Sequence, residues 1–166
     1  MERIPQPIMD KRGEPHMKRF EEQRWVMDNI IRANGIDWDQ PRSIYISNPC
    51  GPEGNADIAG VRERVKKMAD IAPAFEAVAR RREAKAKAAE EAGSQVTARD
   101  NYFMASIHWG SAQWSRHEND ATNLAYNQSK RDCYTRYVAL ADHKIEPVFI
   151  PFKGKTLPGW FHLPPS

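Results

Sequence analysis

The chain has few of the features that mark specialised protein classes. Among its 166 residues there are only two cysteines, Cys50 and Cys133. Two distant thiols make no disulfide framework, and without a secretion signal they are expected to stay reduced, as in the cytoplasm. The opening Met1-Glu2-Arg3-Ile4-Pro5 carries no apolar core of a signal peptide. No apolar run approaches the ~20 residues that cross a bilayer, which excludes a helical membrane span. The net charge of +3 leaves no strong electrostatic footprint for nucleic acid. A Gly-x-Ser-x-Gly nucleophile elbow is absent, as are the P-loop and the dinucleotide fingerprint. His16, His108, His117, His143 and His162 have no metal-ligand spacing with one another or with the cysteines. No metal and no cofactor are therefore expected, and no self-sufficient active site is legible.

β signals are also scarce, and the clear one comes late. Ile145-Glu146-Pro147-Val148-Phe149-Ile150-Pro151-Phe152 and Leu157-Pro158-Gly159-Trp160-Phe161-His162-Leu163 flank the polar turn Lys153-Gly154-Lys155-Thr156. Two β-branched and aromatic runs around a glycine turn predict a hairpin. Pro147, Pro151 and Pro158 cannot donate ladder hydrogen bonds, which places these strands at an edge or at bulges. A lone hairpin is marginal in water. The chain reads as the front part of something larger, stopping as a sheet begins, with Val148, Ile150 and Trp160 left exposed.

The rest predicts helices. Residues 1–15, with Pro5, Pro7, Gly13 and Pro15, read as an irregular arm. From His16 to Asn34, Met17, Phe20, Met27 and Ile31 recur at helical spacing, and Gly35 suits the residue after a helix end. Residues 41–56 are dense in proline and glycine and read as a loop. Asn55 or Asp57 is placed to cap a helix with the stripe Ile58, Val61, Val65, Met68 and Ala72, and Pro73 to open the next. After Arg80 that helix has high propensity and little bulky apolar content, so it reads as a solvated extension ending at Gly93. Thr97 is placed to cap a helix through Trp114, and a last helix spans about Ala121 to Asp142 with the stripe Tyr126, Cys133, Tyr137 and Leu140. These two helices are expected to pair antiparallel. The fold class is thus mainly α: a helical unit over 16–143 followed by the first strands of a sheet over 144–166.

Within the helix ending at Trp114, Phe103, Ile107, Gly110 and Trp114 share one face, and Tyr102, Ser106, Trp109 and Gln113 the adjacent one. Gly110 costs helix stability, so it points to a close approach by another backbone or a ligand. His108 beside Trp109 suits a hydrogen-bonded structural residue better than a catalyst.

Over residues 97–163 a series of short motifs stands in a fixed order. They are Tyr102-Phe103 with Ala105, His108-Trp109-Gly110 with Ala112-Gln113-Trp114, Lys130-Arg131-Asp132-Cys133-Tyr134, and Glu146-Pro147-Val148-Phe149-Ile150-Pro151 through Gly154, Thr156-Leu157-Pro158-Gly159-Trp160 to Leu163-Pro164. This resembles the α/β-hydrolases with a helical N-terminal cap, a group that includes dihydroxypseudooxynicotine hydrolase and fungal polyketide-shortening hydrolases. The resemblance implies that the helices form a cap over a substrate pocket and contribute to a homo-oligomer. The terminal hairpin would be the first two strands of the hydrolase sheet. In that family the nucleophile, acid and histidine follow these strands, so no catalytic residue carries over.

Three readings follow. The first is the cap portion of a serine hydrolase that cleaves a C–C bond in a β-diketone-like small molecule, or an ester or amide bond. Tyr102, His108, Trp109, Gln113 and Trp114 are its candidate substrate-binding residues, and the remainder of the hydrolase domain is its partner. The second is a helical interaction module without chemistry. The third is a nucleic-acid binder through residues 62–87. Glutamates interleave with the bases there and no aromatic residue is available for stacking, which argues against it.

Overall fold

The structure, a computed structural model, describes residues 8–9, 13, 15–16 and 19–164. Most of the arm expected over 1–15 lies outside the described residues, as does Met17. Ile8–Met9 (β1) and Pro15–His16 (β2) pair antiparallel. Among the described residues five α-helices and one 3-10 turn follow: α1 (Arg19–Asn34), the 3-10 turn (Gly35–Asp39), α2 (Gln40–Arg64), α3 (Met68–Glu91), α4 (Gln95–Trp114) and α5 (Ala121–Ala139). An antiparallel hairpin of β3 (Ile145–Phe152) and β4 (Lys155–His162) comes last. The mainly helical fold with a C-terminal hairpin is as expected. His16, expected to open the first helix, lies in β2 instead. Gly35 ends α1 at φ 67, as its position suggested.

Residues 41–56 are a helix, not a loop. Asp39 caps α2 by accepting from the Arg42 backbone N–H at 3.3 Å, and Pro41 sits in the first turn, where its missing N–H costs nothing. Gly51 then leaves helical geometry at φ 66, ψ −160, and Pro52 opens a second helical half. The proline and glycine residues therefore punctuate a bent helix rather than dissolve it. Gly54 completes the bend, since a Cβ there would stand 2.6 Å from Cys50 Cβ and 3.0 Å from the Ser47 carbonyl oxygen. Asp57 is not a cap; it is buried inside α2.

The next break also differs. α2 ends at Arg64 and α3 begins at Met68, so Pro73 lies inside α3 and not at its start. The new end is capped partly from a distance. Asp70 accepts from the Lys66 and Lys67 backbones at 3.0 and 3.1 Å, and Asp28 of α1 accepts from Met68 N at 2.7 Å. α4 likewise starts at Gln95, ahead of the expected Thr97 cap.

The stretch after Arg80 is not a solvated extension, because it forms half of the main helix pair. Ala72, Ala79 and Ala86 of α3 recur every seven residues, as do Ala98, Ala105 and Ala112 of α4, and all six are buried. Folding the chain back at Gly93, which has φ 74, lays α4 against α3, with both alanine rows in the buried core. Their small side chains leave room for the two helices to pack face to face. α5 packs antiparallel on α4, with Trp109 against Tyr126 at 5.5 Å and Phe103 against Tyr137 at 5.1 Å between ring centres. Tyr126 and Cys133 of the expected stripe are buried, and Tyr137 and Leu140 pack at its edge.

In the hairpin, Ile145 pairs with His162 and Phe152 with Lys155, around a two-residue turn with Lys153 at φ 47 and Gly154 at φ 73. Both positive φ values suit the tight turns that match strand twist. Leu163 N donates to Lys144 O at 2.9 Å, so every second pair from there is hydrogen-bonded and the pairs between are not. Pro147, Pro151 and Pro158 all fall on non-bonded pairs, where an N–H would point away from the partner strand. The prolines thus leave the hairpin intact and remove donors from its outer edges. Thr156, Trp160 and His162 still offer outward N–H groups on β4, against Ile145 and Phe149 on β3. One face meets α5, with Tyr134 5.6 Å from Trp160 between ring centres and its hydroxyl 2.8 Å from His162 Nε2. The opposite face carries Val148, Ile150, Phe152, Leu157 and Phe161, four of them about half exposed or more, and no described residue layer covers it.

Two comparisons check these accounts. Gly54→Ala should lower stability by about 1–3 kcal/mol through overpacking. Gly110→Ala should be neutral or gain up to about 1 kcal/mol, because its Cβ would meet only Lys130 Cδ at 3.4 Å; thermal or urea unfolding reads both. Ile150→Pro, at a bonded pair, should abolish amide protection across the hairpin, whereas Phe149→Pro, at a non-bonded pair, should preserve it in hydrogen exchange.

Candidate functional site

α4 is the central helix of the bundle, and its residues face three different surroundings. Towards α2 and α3 it presents His108, Asn101 and the alanine seam. His108 is fully buried, and its Nε2 stands 3.1 Å from Asp57 Oδ2, while its Nδ1 has no hydrogen-bond partner. Asp57 Oδ2 also accepts from Arg82 Nε at 2.7 Å, and its Oδ1 pairs with Arg81. Arg82 in turn donates to Asn101 Oδ1 at 3.0 Å and pairs with Glu53. Burial pushes the Asp57 carboxyl up, but the hydrogen bonds from His108 and Arg82 and their charges outweigh it and hold the group at about 2. Phe75 stacks on the imidazole at 6.0 Å between ring centres.

Towards α5 and the end of α3, α4 presents Tyr102 and Trp109. Tyr102 OH donates to Glu90 Oε2 at 2.8 Å, and Trp109 Nε1 donates to Glu83 Oε2 at 3.2 Å. Tyr126 OH donates to Glu76 Oε2 at 2.5 Å, and burial together with that carboxylate pushes its hydroxyl up to about 12. Each phenol or indole thus puts its ring in the core and its polar tip on a carboxylate of α3.

At its C-terminal end α4 reaches open space. Gln113 Oε1 accepts from Lys130 Nζ at 2.8 Å. Trp114 is half exposed under the Arg42 guanidinium, 3.5 Å from its ring centre. It lines two clefts. One of about 810 Å³ lies against α1, the 3-10 turn and the start of α3. A smaller one of about 290 Å³ lies against α2 and includes Gly110. The close approach expected at Gly110 is absent: its neighbour there is one flexible lysine side chain. Of the five residues singled out in the sequence, Tyr102, His108 and Trp109 therefore sit inside the bundle with partners of their own. Gln113 is half-buried at its edge, and Trp114 borders the clefts. Trp38, Met27, Met68 and Arg116 also line the larger cleft. They come from separate elements and no spacing in the sequence connects them.

Other chemistry is muted. Burial pushes the Cys50 thiol up to about 11 and the Cys133 thiol up to about 12, which disfavours the nucleophilic thiolate. Ser111 is buried, with its hydroxyl donating to Ile107 O at 3.0 Å. Among the described residues no group of three or more His, Cys, Asp or Glu side chains could hold a metal ion, and no helix is long and apolar enough to cross a membrane. In the basic stretch 62–87, Arg62, Arg80, Arg81, Arg82, Lys85 and Lys87 are each paired with a carboxylate.

No protein-family model matches the chain. It is similar to the alpha/beta hydrolase ucsC of Acremonium sp, with 33% identity over 103 residues, covering 54% of this chain and 20% of that protein. The chain thus matches about a fifth of the length of this relative. The partial likeness supports a relationship to the α/β-hydrolases.

The buried cluster makes a definite pH prediction. The Asp57 pKa is lowered in the fold, so its contribution is fully present above the unfolded value of 3.8 and is lost as pH falls through about 2. Asp57→Asn should cost about 3–5 kcal/mol at neutral pH by leaving Arg82 buried without its main partner. It should also flatten the acid limb of stability between those two pH values, as read by urea unfolding across pH.

Proposed function

We propose that the chain is the N-terminal portion of a serine α/β-hydrolase, comprising a helical cap over 16–143 and the opening strands of the sheet over 144–166. The enzyme would act on a small molecule at a C–C bond of β-diketone type or at an ester or amide bond, with the catalytic triad contributed by residues beyond this chain. The observation that carries the reading is the hairpin. It presents an apolar face to solvent and retains outward N–H donors on β4, a surface suited to the next strand and covering layer of a larger sheet. The partial likeness to a hydrolase points the same way.

In this reading the α3–α4–α5 layer is the rigid wall of the cap. Tyr102, His108 and Trp109 hold that wall from within through their carboxylate partners, and Gln113 and Trp114 stand at its open end beside substrate. Such a wall excludes water and supplies apolar contact, while the reacting groups come from the sheet domain. A homo-oligomer joined through the cap belongs to the same proposal.

The test is covalent labelling of the active serine. The native polypeptide, captured with an antibody raised against this chain, should react with a fluorophosphonate probe at a serine within a Gly-x-Ser-x-Gly sequence. The 166-residue chain alone should not react. A native polypeptide that takes up no label and hydrolyses neither aryl esters nor β-diketones would overturn the assignment.

A further inference from the structure

At its root the hairpin is tied to the helical layer by an unbroken run of polar side chains. Arg99 of α4 donates to Asp142 Oδ2 at 2.7 Å. Asp142 Oδ1 stands 3.0 Å from His143 Nδ1, and His143 Nε2 stands 2.8 Å from His162 Nδ1. His162 Nε2 stands 2.8 Å from the Tyr134 hydroxyl. The run leaves α4, crosses the link after α5, enters β4 and closes on α5. The two imidazole rings are 5.1 Å apart between centres, with their facing nitrogens between them. Tyr134 also meets Trp160 ring to ring.

The protons on this run can be counted. A carboxylate accepts only, and a neutral imidazole donates from one nitrogen and accepts at the other. The hydrogen bond from His143 and the charge of Arg99 hold the Asp142 carboxyl below the usual carboxylate range. His143 Nδ1 therefore carries hydrogen. Its Nε2 then accepts from His162 Nδ1–H, and His162 Nε2 accepts from the Tyr134 hydroxyl. Burial and the neighbouring Tyr137 push that hydroxyl up, so it keeps its hydrogen. One added proton fits without loss: on His162 Nε2 it donates to the Tyr134 oxygen, and the bond between the rings becomes charge-assisted. A second does not fit, because both facing nitrogens would carry hydrogen and two imidazoliums would lie side by side. The charges around the pair are already engaged. Asp142 pairs with Arg99, which also pairs with Asp100 at 2.9 Å. On β3 Lys144 and Glu146 pair with each other at 2.6 Å, and α5 contributes the phenols of Tyr134 and Tyr137.

We propose that the His143–His162 pair is a pH-sensitive latch, which holds the hairpin to the helical layer through its first added proton and releases it on the second. Histidine is the side chain that changes charge near neutral pH, and His162 is exposed, so protons from solvent reach the pair. Attachment is therefore present at neutral pH and lost as pH falls. The inference is independent of the hydrolase reading, since it concerns how β3 and β4 are held on α4 and α5 and not turnover.

Nitrogen spectra of the imidazole side chains in the whole chain, from about pH 8 to about pH 4, span the range in which histidine changes charge and locate each proton. Amide protection along β3 and β4 and the contact between the Tyr134 and Trp160 rings report attachment. At the upper limit both rings should be the Nδ1–H tautomer. As pH falls the pair should take up its protons in two separate steps. The ring contact should persist through the first step, and hairpin protection should fall about fivefold or more in the second, with the Trp109–Tyr126 contact inside the bundle unchanged. His143→Gln, whose amide stays neutral and both donates and accepts, should keep the hairpin attached across the range. An Nε2–H tautomer on either ring at high pH, one joint step for both rings, no second step within the range, attachment that outlasts the second step, or release of His143→Gln over the same range as the unsubstituted chain would each overturn the inference. If the glutamine variant is detached at every pH, the tautomers and steps of the unsubstituted chain decide alone. None of these outcomes bears on serine labelling, so the two readings fail separately.

Discussion

The contact between Arg82 and Asp57 constrains the helical layer more than any other. Both side chains are almost wholly out of water, and an unpaired charge in that position would cost several kcal/mol. Asp57 comes from α2 and Arg82 from α3, while His108 and Asn101 of α4 take further bonds of the same two groups. Rotating any one of the three helices would strand a charge or an imidazole. The cluster therefore sets the mutual rotation of the helices, whereas the apolar side chains around it would tolerate several. Replacing the whole cluster by well-packed apolar residues need not be destabilising; breaking one member of it is.

Close packing then becomes possible along the alanine seam. Small side chains at a spacing of seven keep one face of α3 against one face of α4 over the length of the pair. The larger aromatic residues are displaced to the flanks. There Tyr102, Trp109 and Tyr126 bury their rings and place their polar tips on Glu90, Glu83 and Glu76. These carboxylates lie on α3, so the acidic residues interleaved with its bases orient the aromatic wall as well as solvating the surface.

The two ends of α4 differ in character. Near its start, Arg99 donates to Asp142 at 2.7 Å, and Asp142 and His143 lead to His162 and the root of the hairpin. Near its end, Trp114 and Arg116 border open space. The layer thus anchors a strand pair at one end of α4 and borders a cleft at the other.

The terminal hairpin, the stripe of Ile58, Val61 and Val65, the antiparallel α4–α5 pair and the end of α1 at Gly35 were legible in the sequence. Each depends on short-range periodicity or on one residue's backbone freedom, and both act locally. The bent helix through Gly51 was misread as a loop, because proline and glycine density does not distinguish a helix broken once from no helix at all. The helix break before Met68 could not be read in full, since one of its capping groups is Asp28, 40 residues away. Arg82 looked solvated because its partners come from α2 and α4. Of the candidate site, the α4 aromatic residues were found by pattern, but not which of them turns inward. Trp38, Met68 and Arg116 were missed. By itself the sequence determined the elements, through steric and periodic rules acting over a few residues. The tertiary structure alone decided which charges are buried and which side chains share a cleft, because desolvation and pairing depend on neighbours brought together only by folding.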